Sequence, residues 1–439
     1  MVEARQWRGV GNAAIIKVVV MGLTGVLGLI TSRIILQNFG IAAYAQYGLI
    51  ASLPALLPFA DLGLAAVVIN AVAEAKDPRK DAVMRRSITS ALRVLIVSGA
   101  IIVVVAIVVT LLGLWPAILG QGLMPGGGWI AGLCLAIFGA GLPLTIGPRI
   151  LVGLGRNTTQ IATQSVVAPF ILLCVGGGVL LMVPIGQYLA VFTYLASVLV
   201  STLCLFLAAK AIAPQLGQVW RDLPRVKTVR GSRVMNMAGP MLIQMLALPI
   251  AMQTGRILVS HLGGTLALAE YNLGNQLFSI AVQTISAAGI ALWPIFARAR
   301  AAGRIESPMP ATLWFVLGGL VLGGGMAILS PWLAALASGG RLTLDTALVV
   351  SFVVFVALQA AKYPIGMYMT DLGGLRFQVI PTILMVPISL GLAVWLIPEM
   401  GGAGAVVGVS VAVFLCQVIP NLLYVRWDIS KRRRLAPAD

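Results

Sequence analysis

Four cations occupy positions where a hydrocarbon-embedded helix tolerates charge least: Lys17, Arg93, Arg256 and Lys362. Against them stands one clearly embedded acid, Asp61. Each such charge costs about 2.5–3.5 kcal/mol at the centre of a membrane helix, and one carboxylate cannot neutralise four cations. The excess positive charge is expected to face water or an anion. Helical phase gives three of the four polar company. Gln253, Arg256 and Ser260 share a face, as do Ser351, Gln359, Lys362 and Gly366, while Lys17 lines up with Thr24, Gly28 and Thr31. A second pattern is neutral: Asn272, Gln276, Ser279, Gln283 and Ser286 recur at helical spacing, with Asn275 beside them. Such a stripe is either polar glue between helices or a hydrophilic wall for a hydroxyl-rich solute. The expected site is therefore a cationic cavity of Lys17, Arg93, Arg256 and Lys362. Its polar wall is Gln253, Asn272, Gln276, Ser279, Gln283 and Gln359.

Other polar residues carry structural readings beside functional ones. Arg93 is about a turn from a basic cluster, so it either joins the cavity or snorkels to the headgroups. Arg33, preceded on its face by Leu29 and Val26, has the same choice. Asp61 follows Pro54 and Pro58; it either stabilises a broken helix or serves proton or sodium coupling. His261, near a span end, is read as interfacial rather than as a switch. Cys134, Cys174, Cys204 and Cys416 all lie in apolar segments and imply neither a disulfide framework nor a metal site. Glu270, Asp345 and Glu399 form no acid/base or metal-binding motif, which argues against a membrane enzyme. No cofactor is expected.

Composition defines the elements that must position these side chains. With 59% hydrophobic and 10% charged residues in 439, the chain is an integral membrane protein, and its long apolar runs are helices rather than barrel strands. The start, MVEARQWRG before an apolar run, reads as a retained first helix and not as a secretory signal. Cuts at charge clusters and Gly/Pro breaks predict twelve spans: 10–36, 43–73, 88–112, 129–152, 161–183, 188–212, 236–262, 271–297, 310–330, 346–370, 377–398 and 403–425. Of the 30 cations, 24 border one side and only Arg33 and Arg341 border the other, so the basic side and both termini are expected to be cytoplasmic. The net charge of +17 follows from that topology and from attraction to anionic lipid, with no nucleic-acid partner.

The chain also resembles itself. RIILQNFG at 33–40 and RILVSHLG at 256–263 match at an offset of 223, and LGRNTTQ at 154–160 matches LGGLRFQ at 372–378 at an offset of 218. A near-constant offset over several helices points to duplication. Six spans separate the copies, so both halves enter the membrane the same way, as in parallel-repeat transporters. The expected organisation is an N-terminal six-helix lobe (1–212), a basic cytoplasmic linker (213–235), a C-terminal six-helix lobe (236–425) and a basic tail (426–439).

The stretches SRIILQNFGIAAYAQYG, PFADLGL at 58–64, GPMLIQML, RILVSHLG and EYNLGNQL resemble the polysaccharide flippases, Wzx-type members of the multidrug, oligosaccharidyl-lipid and polysaccharide exporter superfamily. The likeness runs over nearly the whole chain and rests on glycine, aromatic and apolar positions. It implies an all-α, MATE-like fold of two six-helix lobes around a central cavity, working by alternating access. It also implies a substrate: an undecaprenyl-pyrophosphate-linked oligosaccharide moved to the outer leaflet of a bacterial inner membrane. The partners are then that lipid-linked glycan, membrane lipids and other polysaccharide-assembly proteins. One departure is Gly255 before Arg256, where the family often has an acidic residue. The closest rival is a drug exporter of the same superfamily, which favours embedded carboxylates; Asp61 alone against four cations argues the other way.

Overall fold

A computed structural model describes residues 2–57, 64–75, 77–224, 250, 253–290, 292, 295–296, 299–300, 304 and 306–435, with backbone alone for 2–18, 65–66, 372, 433 and 435. Asp61, the PFADLG and GPMLIQML stretches, the linker from 225 and the start of the seventh span lie outside the described residues, as does the side chain of Lys17. All regular structure among the described residues is helical. Nine helical stretches there are long and apolar enough to cross a membrane. They present large apolar side chains outward, among them Ile328, Val321 and Leu111, each more than two-thirds exposed. An aqueous protein does not carry such a surface, whereas hydrocarbon accepts it.

The chain divides into two compact units, Met1–Ile118 with Leu123–Ala238, and Leu119–Gly122 with Gly239–Asp439. The first opens with α1 (Val2–Ala51), two helices joined across Gly40, whose φ of 83° and ψ of 179° break the helical run. The kink falls between the first two expected spans, at a residue free to adopt positive φ. There follow α2 (Leu64–Glu74), α3 (Ala82–Leu111), the short α4 (Trp115–Leu119), α5 (Gly127–Gly141), α6 (Ile146–Gly153), α7 (Asn157–Gln164), α8 (Val167–Leu180) and α9 (Leu189–Ala211). The fourth expected span is interrupted by a 3-10 turn, Leu142–Thr145, carrying Pro143. A proline lacks the N–H that a continuous helix needs, so the turn is where the ladder tightens. Helices α3 and α5 touch through glycine: a Cβ on Gly99 would stand 2.3 Å from the Gly139 carbonyl oxygen. Close backbone approach at small residues is the usual source of helix association in lipid.

Within the expected linker lies a helix that the charge pattern hid, α10 (Gln215–Asp222). It is clasped to α3 by the Arg85–Asp222 ion pair at 3.3 Å and by an Arg85 hydrogen bond to the Gln218 side chain.

The second unit comprises α11 (residues 253–262), α12 (Gly264–Ile290), α13 (Met309–Ser338), α14 (Thr346–Tyr368), α15 (Leu372–Met400), α16 (Gly402–Val413) and α17 (Ile419–Leu435). Asp345 and Asp371 begin α14 and α15 as N-caps, accepting from the Ala347 and Gly374 N–H groups. Helices α15 and α16 form a tight hairpin, because a Cβ on Gly404 would stand 2.5 Å from the Leu396 carbonyl carbon. Between α16 and α17 the chain makes a π-helical turn, Phe414–Val418. The twelfth expected span thus runs on to Leu435 with its middle widened.

Candidate functional site

Two polar cavities lie inside the second unit, and they share no lining residue. The first, about 130 Å³, is enclosed by α11, α12, α14 and α16. Helix α11 contributes Gln253 and Gly255, and α12 contributes Tyr271, Asn275, Phe278 and Ser279. One aromatic wall depends on a missing side chain: Phe352 of α14 fits against Gly274, where a Cβ would come within 2.7 Å of its ring. That lets Phe352 stack on Phe278 with centroids 5.1 Å apart. The Arg256 guanidinium sits 5.9 Å from the centre of the Tyr271 ring, within reach of a cation–π attraction. Amide, hydroxyl and aromatic groups, with a cation behind the tyrosine, suit a neutral polar or anionic guest.

The second cavity, about 250 Å³, is lined by Lys362 and Gly366 of α14, Thr370 after it, Gln378 and Thr382 of α15, Gln417 in the π turn and Asn421 of α17. The wide turn contributes to this lining. It carries Gln417, and Asn421 stands four residues further on, so both amides reach the same space. At the basic end of α14, Tyr368 donates to Asp428 at 2.7 Å, and Asp428 pairs with Arg432 at 2.8 Å. Arg300 pairs with Asp371 at 3.7 Å and donates to the Tyr368 carbonyl. Asp371 and Asp428 are thus both engaged with arginines.

The expected cationic residues are therefore distributed among different environments. Arg256 and Lys362 adjoin different cavities. Arg93 is held on α10, donating to the carbonyls of Leu223 at 3.0 Å and Asp222 at 2.6 Å. A guanidinium at a helix C-terminus meets the unsatisfied carbonyls and the negative end of the helix dipole, so this arginine has a structural task. The expected wall divides as well. Gln253 and Ser279 line the first cavity with Asn275, whereas Asn272 is buried in packing and Gln283 is exposed. Gln276 accepts the Ser279 hydroxyl on its backbone carbonyl at 2.8 Å. Gln359 is 2% exposed, and its Nε2 has no hydrogen-bond acceptor.

Ser260 is fully buried: its hydroxyl donates to the Leu119 carbonyl and accepts the Gly122 N–H at 2.9 Å. His261 Nδ1 stands 2.9 Å from the Ile257 carbonyl. Its ring also explains Gly120, where φ is 74° and a Cβ would meet the imidazole at 2.8 Å. Among the described residues no group of three or more His, Cys, Asp or Glu side chains could hold a metal ion.

No protein-family model matches the chain, and no curated protein matches it. Solved structures do. An inward-facing multidrug resistance MATE family transporter of the MOP superfamily matches with a TM-score of 0.64 and 16% identity, over 97% of this chain and 100% of its own. The lipid II flippase MurJ matches with a TM-score of 0.61 and 11% identity, over 95% of this chain and 90% of its own. A MATE complexed with MaL6 matches with a TM-score of 0.57 and 15% identity, over 97% of each chain. From end to end, the chain has the all-helical fold shared by MATE transporters and the MurJ flippase.

Proposed function

We propose that this protein is a flippase that carries an undecaprenyl-pyrophosphate-linked oligosaccharide from the cytoplasmic to the outer leaflet of a bacterial inner membrane, supplying surface polysaccharide assembly. The observation that carries the reading is the charge of the two cavities. Amides, hydroxyls and aromatic rings line both; Lys362 is in one, Arg256 is beside the other, and among the described residues no carboxylate lines either. A diphosphate needs fixed cations to leave water, and a glycan needs neutral hydrogen-bonding groups. A cationic drug needs the reverse. The fold is compatible with either cargo, since it is shared with a multidrug transporter and with a lipid II flippase.

In this reading the basic side faces the cytoplasm with both termini, and the two lobes alternate access. Asp61 is the candidate for proton or sodium coupling, and Lys17 is a further candidate for the substrate path. No covalent step is needed, so the protein is a transporter rather than an enzyme. The experiment is a strain lacking the protein. Its polyprenyl-linked sugar should accumulate on the cytoplasmic leaflet, and accumulation on the outer leaflet would place the defect downstream and refute the proposal.

A further inference from the structure

The Lys362 cavity has a composition that a transport path alone does not require. An ammonium group enters a low-dielectric interior at high cost unless something of opposite charge accompanies it. Two acids near this end are engaged elsewhere: Asp371 caps Gly374 and pairs with Arg300, and Asp428 receives Tyr368 and Arg432. Among the described residues lining the cavity, the lysine has neutral company: the Tyr363 ring 5.6 Å from its Nζ, the amides of Gln378, Gln417 and Asn421 and the hydroxyls of Thr370 and Thr382. Asn421 is 4% exposed, and its buried Oδ1 receives no hydrogen bond. An ammonium has three N–H donors. One of them given to that oxygen would aim the other two into the cavity. The cavity, about 250 Å³, has room for a phosphate or diphosphate group.

We propose that this cavity is an oxyanion site, taking a phosphate or diphosphate group on the Lys362 ammonium with Gln417, Asn421 and Thr382 as its neutral partners. A lysine suits this task as a point charge on a tetrahedral anion approached from several directions. The amides of Gln417 and Asn421 supply N–H donors from the π turn and the helix that follows it. The ligand is either a free phosphate or the headgroup of a prenyl-phosphate lipid. The flippase reading bears only on which of these is the physiological source.

The test is binding by the purified full-length protein at fixed ionic strength, in two arms. One titrates inorganic phosphate and pyrophosphate in detergent. The other presents a long-chain prenyl phosphate, or the uncharged prenol as control, in nanodiscs. The wild-type chain should bind phosphate in at least one arm and should ignore the prenol. Lys362→Gln should weaken binding by about tenfold or more, and Asn421→Leu by about threefold or more, as expected for losing a charged and a neutral hydrogen bond. Lys210→Gln, which removes an exposed cation of α9 outside both cavities, should leave it unchanged. Binding in the detergent arm shows that a free anion suffices; binding in the nanodisc arm alone assigns the lipid headgroup. No binding in either arm, or equal binding by the wild type and both site variants, overturns the proposal. Phosphate binding without transport of lipid-linked sugar would retire the flippase reading and leave the oxyanion site standing.

Discussion

A buried amide without an acceptor costs a fold about 1–3 kcal/mol, and Gln359 carries one. It stands one helical turn before Lys362 on α14. Gln359→Leu should therefore leave the melting temperature unchanged or raise it while lowering transport, and a clear loss of stability would show that the glutamine is structural. The opposite pattern holds for Asp428, which receives both Tyr368 and Arg432. Asp428→Ala should lower stability by about 1.5–3 kcal/mol, nearer the lower figure because Arg432 is one-third exposed. Thermal unfolding of the purified variant reads this out, and an unchanged melting point would remove the clasp from the account. These two residues also mark what the sequence can disclose. That Lys362 must face something polar follows from its neighbours at helical spacing, and it lines a polar cavity. Arg93 looks the same in sequence, yet its partners are carbonyls about 130 residues away, which no local pattern reveals. Asp371 and Asp428 pass unnoticed because each resembles an ordinary acid at a helix end.

At the scale of elements, apolar runs fix where helices lie, and charge clusters fix where they end. Interruptions are harder to read. Gly40, the Leu142–Thr145 turn and the π turn at Phe414–Val418 each change a helix without breaking its hydrophobic run, and α10 was masked by the basic residues around it. The glycines test the packing directly. Gly99→Val should destabilise the protein by about 1–3 kcal/mol through overpacking against Gly139, whereas Gly22→Val, with nothing within 4 Å of its Cβ, should not. Equal melting points for the two would refute the close approach of α3 and α5. Gly255 bears on function instead. Its Cβ would meet Ala405 at 3.6 Å and the Tyr271 hydroxyl at 3.8 Å, ordinary contacts, so alanine should fit. Leucine should fill much of the 130 Å³ cavity, and Gly255→Leu is expected to cut transport severalfold while Gly255→Ala keeps it. Full transport by the leucine variant would exclude this cavity from the substrate path.

For the molecule as a whole, the cation asymmetry predicts a topology. In a background lacking the four native cysteines, single cysteines at Gln121, Thr343 and Met400 should react with an impermeant thiol reagent from outside, and those at Lys80 and Arg304 should not. Reversed labelling would invert the assignment of leaflets and with it the direction of transport. Fold class was legible in the sequence because composition alone demands a helical membrane protein, and the solved structures share that architecture. Cargo was less so: phosphate and sugar are recognised by dispersed amides and cations with no fixed spacing. The central claim is that the cargo is a lipid-linked sugar and not a cationic drug. Its most direct test is purified protein in vesicles, with transfer of a polyprenyl-pyrophosphate-linked oligosaccharide between leaflets measured beside efflux of a cationic dye. The account predicts transfer of the lipid-linked sugar, lost in Arg256→Gln and Lys362→Gln, without dye movement. Dye transport with no transfer of the sugar would contradict it.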